Sequence, residues 1–105
     1  MLFQECNAEG AIFAGARFKA VRFTECNLTR ASFAGCDLSG LVFHRCDLSQ
    51  ADLRGATLQG TDLRGCILDG LQVTPQCLRG AIIEPAQAVL VARLLGLVVQ
   101  DISQE

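Results

Sequence analysis

A period of five residues runs through most of this chain, and it restricts the fold more than any other feature. Every fifth residue from Phe3 reads Phe3, Ala8, Phe13, Phe18, Phe23, Leu28, Phe33, Leu38, Phe43, Leu48, Leu53, Leu58, Leu63, Leu68, Val73. Only Ala8 departs from a large apolar type, and all six phenylalanines fall on this register. The place two residues before each centre holds Ala or Cys ten times in fifteen. The place two residues after it holds nine of the ten glycines.

Neither regular element accommodates such a period. On an α-helix, five residues drift by about 140° from a common face. On a strand, an odd period sends successive repeats to opposite faces. The chain must therefore turn once per repeat, and the recurrent glycine supplies the freedom to do so. If one repeat forms one side and one corner, four repeats close a coil of twenty residues. The centre and the small residue before it then point inward, and the other three places point outward.

The cysteines test the count of four independently. Cys6, Cys26, Cys46 and Cys66 are spaced by twenty, so they stack one per coil on a single wall as small inward residues. Asn7, Asn27 and Asp47 accompany them. The expected core is Phe13, Phe18, Phe23, Leu28, Phe33, Leu38, Phe43, Leu48, Leu53, Leu58, Leu63 and Leu68. Phe gathers in the first half and Leu in the second, so the core is expected to narrow toward the C-terminus. Each wall is named below after its centre in the second coil: Phe23, Leu28, Phe33 and Leu38.

The motif Ala/Cys, Asp/Asn, Leu/Phe, any, Gly resembles that of the pentapeptide-repeat proteins. It is carried best by Cys36-Asp37-Leu38-Ser39-Gly40, Ala51-Asp52-Leu53-Arg54-Gly55 and Thr61-Asp62-Leu63-Arg64-Gly65. The resemblance implies an all-β solenoid, a right-handed quadrilateral β-helix of about four coils with a short C-terminal α-helix as cap. The division that follows is 1–83 for the β-helix and 84–105 for the cap and dimerisation segment.

The repeat fails near Thr74-Pro75-Gln76-Cys77, where Gln76 falls on an inward small-residue place. Pro85 then suits the first turn of a helix. Ala86 to Leu95 are helix formers, and Gly96 is a plausible stop. This helix is apolar nearly all round apart from Gln87 and Arg93, so one side is expected to plug the solenoid while the other seeks a partner. Leu97-Val98-Val99 reads as a short strand. A two-fold homodimer is expected through Val89, Leu90, Leu94, Leu95, Leu97, Val98 and Val99. The stretch from Leu78 to Val99 resembles the C-terminal dimerisation module of the pentapeptide proteins that protect DNA gyrase from quinolones. At the other end, the first coil begins on Met1 with an open edge, a template for association. That edge either pairs with another chain, is covered by Met1, or continues into a longer protein.

No cofactor, metal or catalytic constellation is expected, and the reading is non-enzymatic. Parallel sulfurs about 4.8 Å apart form a line, whereas zinc prefers a tetrahedron and a disulfide prefers converging Cβ vectors. Cys36 takes a similar slot on another wall, and Cys77 is the expected exposed thiol. His44 is a lone outward histidine. Asp37, Asp47, Asp52 and Asp62 fit backbone hydrogen bonding at turns. The glycines lack the context of a phosphate loop.

With 105 residues, a single domain follows. Nine basic and eleven acidic side chains leave a net charge of −2, which points neither to direct nucleic-acid binding nor to an acidic surface. The apolar stretch Ala86 to Val99 is too short and too interrupted to span a bilayer. Six cysteines without a secretory signal suggest reduced thiols and a cytoplasmic location.

The functional expectation is an interaction scaffold that presents a rigid surface to a protein partner. The Phe33 wall, with Ile12, Ala14, Ser32 and Ala34, is the least charged and the expected contact face. The alternative, implied by the resemblance, is a DNA-mimicking modulator of DNA gyrase, a type II topoisomerase, that confers quinolone resistance. DNA mimicry requires a sustained negative stripe. The Leu28 wall offers only Glu9, Arg30, Asp47 and Asp69, net −2, and the Leu38 wall, with Arg17, Lys19, Asp37 and Arg79, is net +2.

Overall fold

The computed structural model describes residues 1–102, which form a rod of 49 × 25 × 22 Å. Three short strands, β1 (Leu2–Gln4), β2 (Arg22–Thr24) and β3 (Val42–His44), make one parallel sheet in the order β1-β2-β3. Their register is an offset of twenty, with Phe3 opposite Phe23 and Phe23 opposite Phe43. The remaining sides are too short to count as strands. They pair through single parallel bridges with the same offset, among them Asn27 to Asp47, Ser32 to Asp52, Asp37 to Thr57 and Asp62 to Ile82. The repeat of five thus becomes a coil of twenty, and successive coils are joined backbone to backbone.

Two kinds of corner turn the chain. Most are four-residue β-turns in which the N–H of the next small residue donates to the centre's carbonyl, as from Ala16 to Phe13 at 2.8 Å and from Thr61 to Leu58 at 3.0 Å. Their third residue lies at positive φ, as at Gly15 (φ 80°), which a type II turn requires. On the Phe23 wall the first three corners are instead Glu5, Glu25 and Arg45, each near φ 53–54°. These are the corners that follow β1, β2 and β3. Six corners in all place a non-glycine residue in the left-handed region, where L-residues are disfavoured. Sequence reasoning read glycine as the corner and did not single these out.

The core is a continuous column. Phe33, Phe43, Leu28, Leu38, Leu48, Leu53, Leu58, Leu63 and Leu68 are fully enclosed. Phe3, Phe23 and Phe43 stack face to face at 5.1 and 5.0 Å, and Phe13 stacks on Phe33 at 4.8 Å. These spacings equal the distance between hydrogen-bonded strands, so the rings ride on the backbone repeat. Rings on neighbouring walls meet edge to face, as Phe33 and Phe43 do at 5.8 Å, the arrangement that the ring quadrupoles favour. In the first coil the same places are less covered: Phe3, Ala8, Phe13 and Phe18 are only half-buried, and Cys6 is exposed.

The C-terminal end is closed by α1 (Pro85–Leu94). Leu90, Val91 and Leu94 pack against the core, but the buried residue of the helix is Gln87. Its amide donates to the Leu63 and Cys66 carbonyls at 2.8 and 3.0 Å, and its Oε1 accepts from the Glu84 N–H at 3.0 Å. Glu84 Oε1 accepts from the Gly65 N–H at 2.9 Å. Two side chains thereby take over the hydrogen bonds that another coil would have made to the Leu63–Cys66 corner.

Two expectations are corrected here. Leu97-Val98-Val99 forms no strand; the Leu97 N–H instead bonds to the Ala92 carbonyl, and the segment leaves the helix as an irregular, exposed tail. Cys77 is buried, 5% exposed. The turn at residues 75–80 slides the chain by one residue, so Gln76 faces out and Cys77 takes the inward slot. There its thiol donates to the Thr74 carbonyl at 3.1 Å.

Candidate interaction surface

The inward thiols are structural. Cys26, Cys36, Cys46 and Cys66 each donate to a carbonyl of the preceding coil, that of Phe3, Phe13, Phe23 and Phe43 respectively, at 3.0–3.4 Å. Thr61 does the same through Oγ1, to the Leu38 carbonyl at 2.6 Å. A small side chain with a donor at its tip therefore fills the slot and ties two coils together. Burial pushes the Cys26 thiol above its ordinary range, and the adjoining Cys46 sulfur, then burial, do the same to Cys66. All six cysteines are unpaired. Among the described residues, no three His, Cys, Asp or Glu side chains converge to hold a metal ion.

The outward Asn and Asp side chains are also engaged. Oδ1 of Asn7, Asn27, Asp37, Asp47, Asp52 and Asp62 accepts from the N–H two residues on, at 2.9–3.2 Å. Each is an Asx turn that sets the entry to a corner. At Asp37, Asp52 and Asp62 hydrogen bonding favours the ionised form. Hydrogen bonds from Ser39 lower the Asp37 carboxyl, and those from Arg54 and Arg64 lower Asp52 and Asp62. Arg54 and Arg64 grip their aspartates through two nitrogens at 2.8–3.0 Å.

What is left for recognition is the shape and residual chemistry of the four walls. On the Phe33 wall, Ile12 is 80% exposed beside exposed Ala14 and half-buried Ser32 and Ala34. Its one charged pair, Asp52 and Arg54, is internally neutralised. On the Leu28 wall, Glu9 pairs with Arg30, which leaves Asp47 and Asp69 as its unpaired acids. His44 is half-buried at the end of β3, in a shallow cleft with Asp62, Arg64 and Glu84. The Leu38 wall opens at its N-terminal end into a recess lined by Gly15, Ala16, Arg17, Phe18, Lys19, Gly35 and Asp37. At the C-terminal end, Val89, Leu95, Leu97, Val98 and Val99 are exposed while Leu90 and Leu94 are half-buried against the core. Ile67 and Ile82 are exposed on the walls nearby, a signal that sequence reasoning passed over because outward places were read as polar.

A profile of pentapeptide repeats, eight copies, matches residues 2–40 and 31–70. The chain belongs to the pentapeptide-repeat family. Among solved structures, a pentapeptide-repeat protein from the thylakoid lumen of Arabidopsis thaliana superposes with a TM-score of 0.65. It is 22% identical over 87% of this chain and 76% of its own. That likeness shows the fold and nothing of function. The pentapeptide-repeat protein Rfr23 of the cyanobacterium Cyanothece 51142 is 18% identical over 79% of this chain and 60% of its own, with a TM-score of 0.40. QnrB1, a plasmid-mediated fluoroquinolone resistance protein, is 17% identical over 95% of this chain and 89% of its own, with a TM-score of 0.45. No curated protein sequence matches the chain. Among the described residues, no helix is long and apolar enough to cross a membrane.

Proposed function

We propose that this pentapeptide-repeat chain is a non-enzymatic scaffold, a right-handed quadrilateral β-helix that presents rigid, flat walls to a protein partner. The handedness follows the rule that parallel crossovers are right-handed in about 98% of cases. The observation that carries the reading is the Phe33 wall. An 80% exposed isoleucine stands there among small side chains, on a surface without net charge, held by the ladder beneath it. Such a face suits the centre of a protein contact, where charge is depleted. The C-terminal tail, with Leu97, Val98 and Val99 exposed, serves a second copy in a homodimer, and residues 84–105 act as the cap and dimerisation segment. Six unpaired thiols fit a reducing, cytoplasmic setting.

Site-specific photocrosslinking tests the reading. A crosslinker at Ile12 should trap a discrete partner in cells, and one at Thr24 on the Phe23 wall should not. Equal labelling from both walls, or from neither, would refute it. Family membership makes a type II topoisomerase the second reading for the partner. The Glu9–Arg30 pair shortens the acidic stripe that DNA mimicry needs, so this reading stands behind the first. Supercoiling by gyrase with and without fluoroquinolone separates the two: no effect at large molar excess of this protein rejects the topoisomerase.

A further inference from the structure

We propose that Cys46 and Cys66, stacked in adjacent coils, hold one soft monovalent cation of the Cu(I) class in linear coordination by two thiolates. The three buried thiols of this ladder repeat one arrangement. Cys26, Cys46 and Cys66 each donate to the carbonyl 23 residues earlier, at 3.3, 3.4 and 3.0 Å. The same partner at the same offset makes the side chains parallel, so neighbouring sulfurs are separated by the repeat of the coil itself. On the side that leads into these slots, Phe23 stacks on Phe43 at 5.0 Å. A metal–thiolate bond is about 2.3 Å long, so two in line span roughly 4.6 Å, within a few tenths of an ångström of that repeat. Direction fits as well as distance. Each S–H is turned toward the preceding coil, so an ion between the two sulfurs takes the side from which the Cys66 proton leaves.

Coordination number selects the metal. Among the described residues, no three His, Cys, Asp or Glu side chains converge, which removes the tetrahedral shell that zinc needs. A closed-shell ion satisfied by two ligands remains, and soft thiolate sulfur selects Cu(I) over hard cations. The surroundings are dry. Cys46 and Cys66 are 1% and 7% exposed and share the apolar core with Leu48 and Leu68, so water does not complete a larger shell. Cys66 is the most exposed of the three buried sulfurs, which makes its pairing with Cys46 the more accessible one. Binding exchanges protons for metal without oxidation: two S–H bonds break, two S–Cu bonds form and two protons leave to solvent. The thiols give up their bonds to the Phe23 and Phe43 carbonyls. The product carries one negative charge, and Arg45 stands at the corner immediately before Cys46.

Two full-length variants with equal numbers of thiols test the site. Cys6→Ala with Cys26→Ala leaves Cys46 and Cys66 one coil apart. Cys6→Ala with Cys46→Ala leaves Cys26 and Cys66 two coils apart, roughly 10 Å, too far for one ion. Alanine fills the same kind of slot at Ala31 and Ala51, so both variants should fold, which circular dichroism checks. Each is refolded anaerobically with Cu(I), so that burial does not limit loading, and is then challenged with a chromophoric Cu(I) chelator. The first variant should keep one Cu(I), and the second should lose it. X-ray absorption of the native protein loaded with one equivalent of Cu(I) should show two sulfur neighbours in line. Equal retention by the two variants, loss from the first, or a shell of three or four sulfurs would overturn the inference.

Discussion

Truncating Phe33 to alanine tests the interior where it is most tightly determined. The ring is fully buried, stacked on Phe13 at 4.8 Å and met edge-on by Phe23 at 6.2 Å and Phe43 at 5.8 Å. The hydrogen-bonded coils above and below cannot close over the void, because their spacing is fixed by the ladder. The loss should therefore lie at the upper part of the range for Phe→Ala, about 4–5 kcal/mol. A domain of this size has roughly 5–15 kcal/mol to lose, so the variant should unfold at far lower denaturant. Phe3, half-buried and stacked on Phe23 alone within its ladder, should cost about 1–2 kcal/mol, roughly half of a full transfer plus cavity. Equilibrium unfolding in urea, followed by circular dichroism, measures both. A loss under about 1 kcal/mol at Phe33, or equal losses at the two sites, would refute the reasoning.

Other perturbations follow from the same geometry. Thr61→Val removes the bond to the Leu38 carbonyl and should cost about 1–2 kcal/mol in urea unfolding, whereas Thr61→Cys, which restores the donor used elsewhere on the ladder, should cost less. Gln87→Glu replaces a double donor with a carboxylate facing two carbonyls. Its stability deficit relative to the native protein should grow as pH rises from 4 to 8, because only the protonated form donates. Asp37, Asp52 and Asp62 ionise more readily folded than unfolded, so their contribution is complete above the unfolded carboxyl range and is lost as pH falls through the folded pKa values. Asn at all three, the residue already used at positions 7 and 27, should keep the turns and flatten the acid limb of a stability–pH curve. A thiol reagent should modify Cys6 rapidly in the native protein and the five buried cysteines, Cys77 among them, only on unfolding.

The periodicity of the core was legible because burial dictates it. Phe, Leu, Ala and Cys recur at fixed places since each coil repeats the same volume and the same small slots. The corners were legible where glycine marks them and hidden at Glu5, Glu25 and Arg45, because a left-handed backbone imposed by the ladder leaves no mark on the residue type. In the sequence Gln87 stands only as a polar interruption of an apolar helix. Its role depends on where the helix lands against the last coil, which local pattern does not encode. Cys77 was misplaced because a turn at residues 75–80 slips the register by one. The tail at Leu97–Val99 has strand-forming residues but no edge to pair with, and propensity without a partner makes no strand. The candidate surface was the least legible part. Outward places carry little constraint from the fold, so Ile67 and Ile82 had no pattern to betray them.

The central claim is that residues four repeats apart lie directly above one another. Scalar couplings transmitted through hydrogen bonds measure this in solution, amide by amide. The account predicts couplings from the Asp52 amide to the Ala31 carbonyl and from the Gln72 amide to the Ala51 carbonyl, a constant separation of 21 residues. Couplings from these two amides to carbonyls four residues away, or to any carbonyl other than those of Ala31 and Ala51, would contradict it.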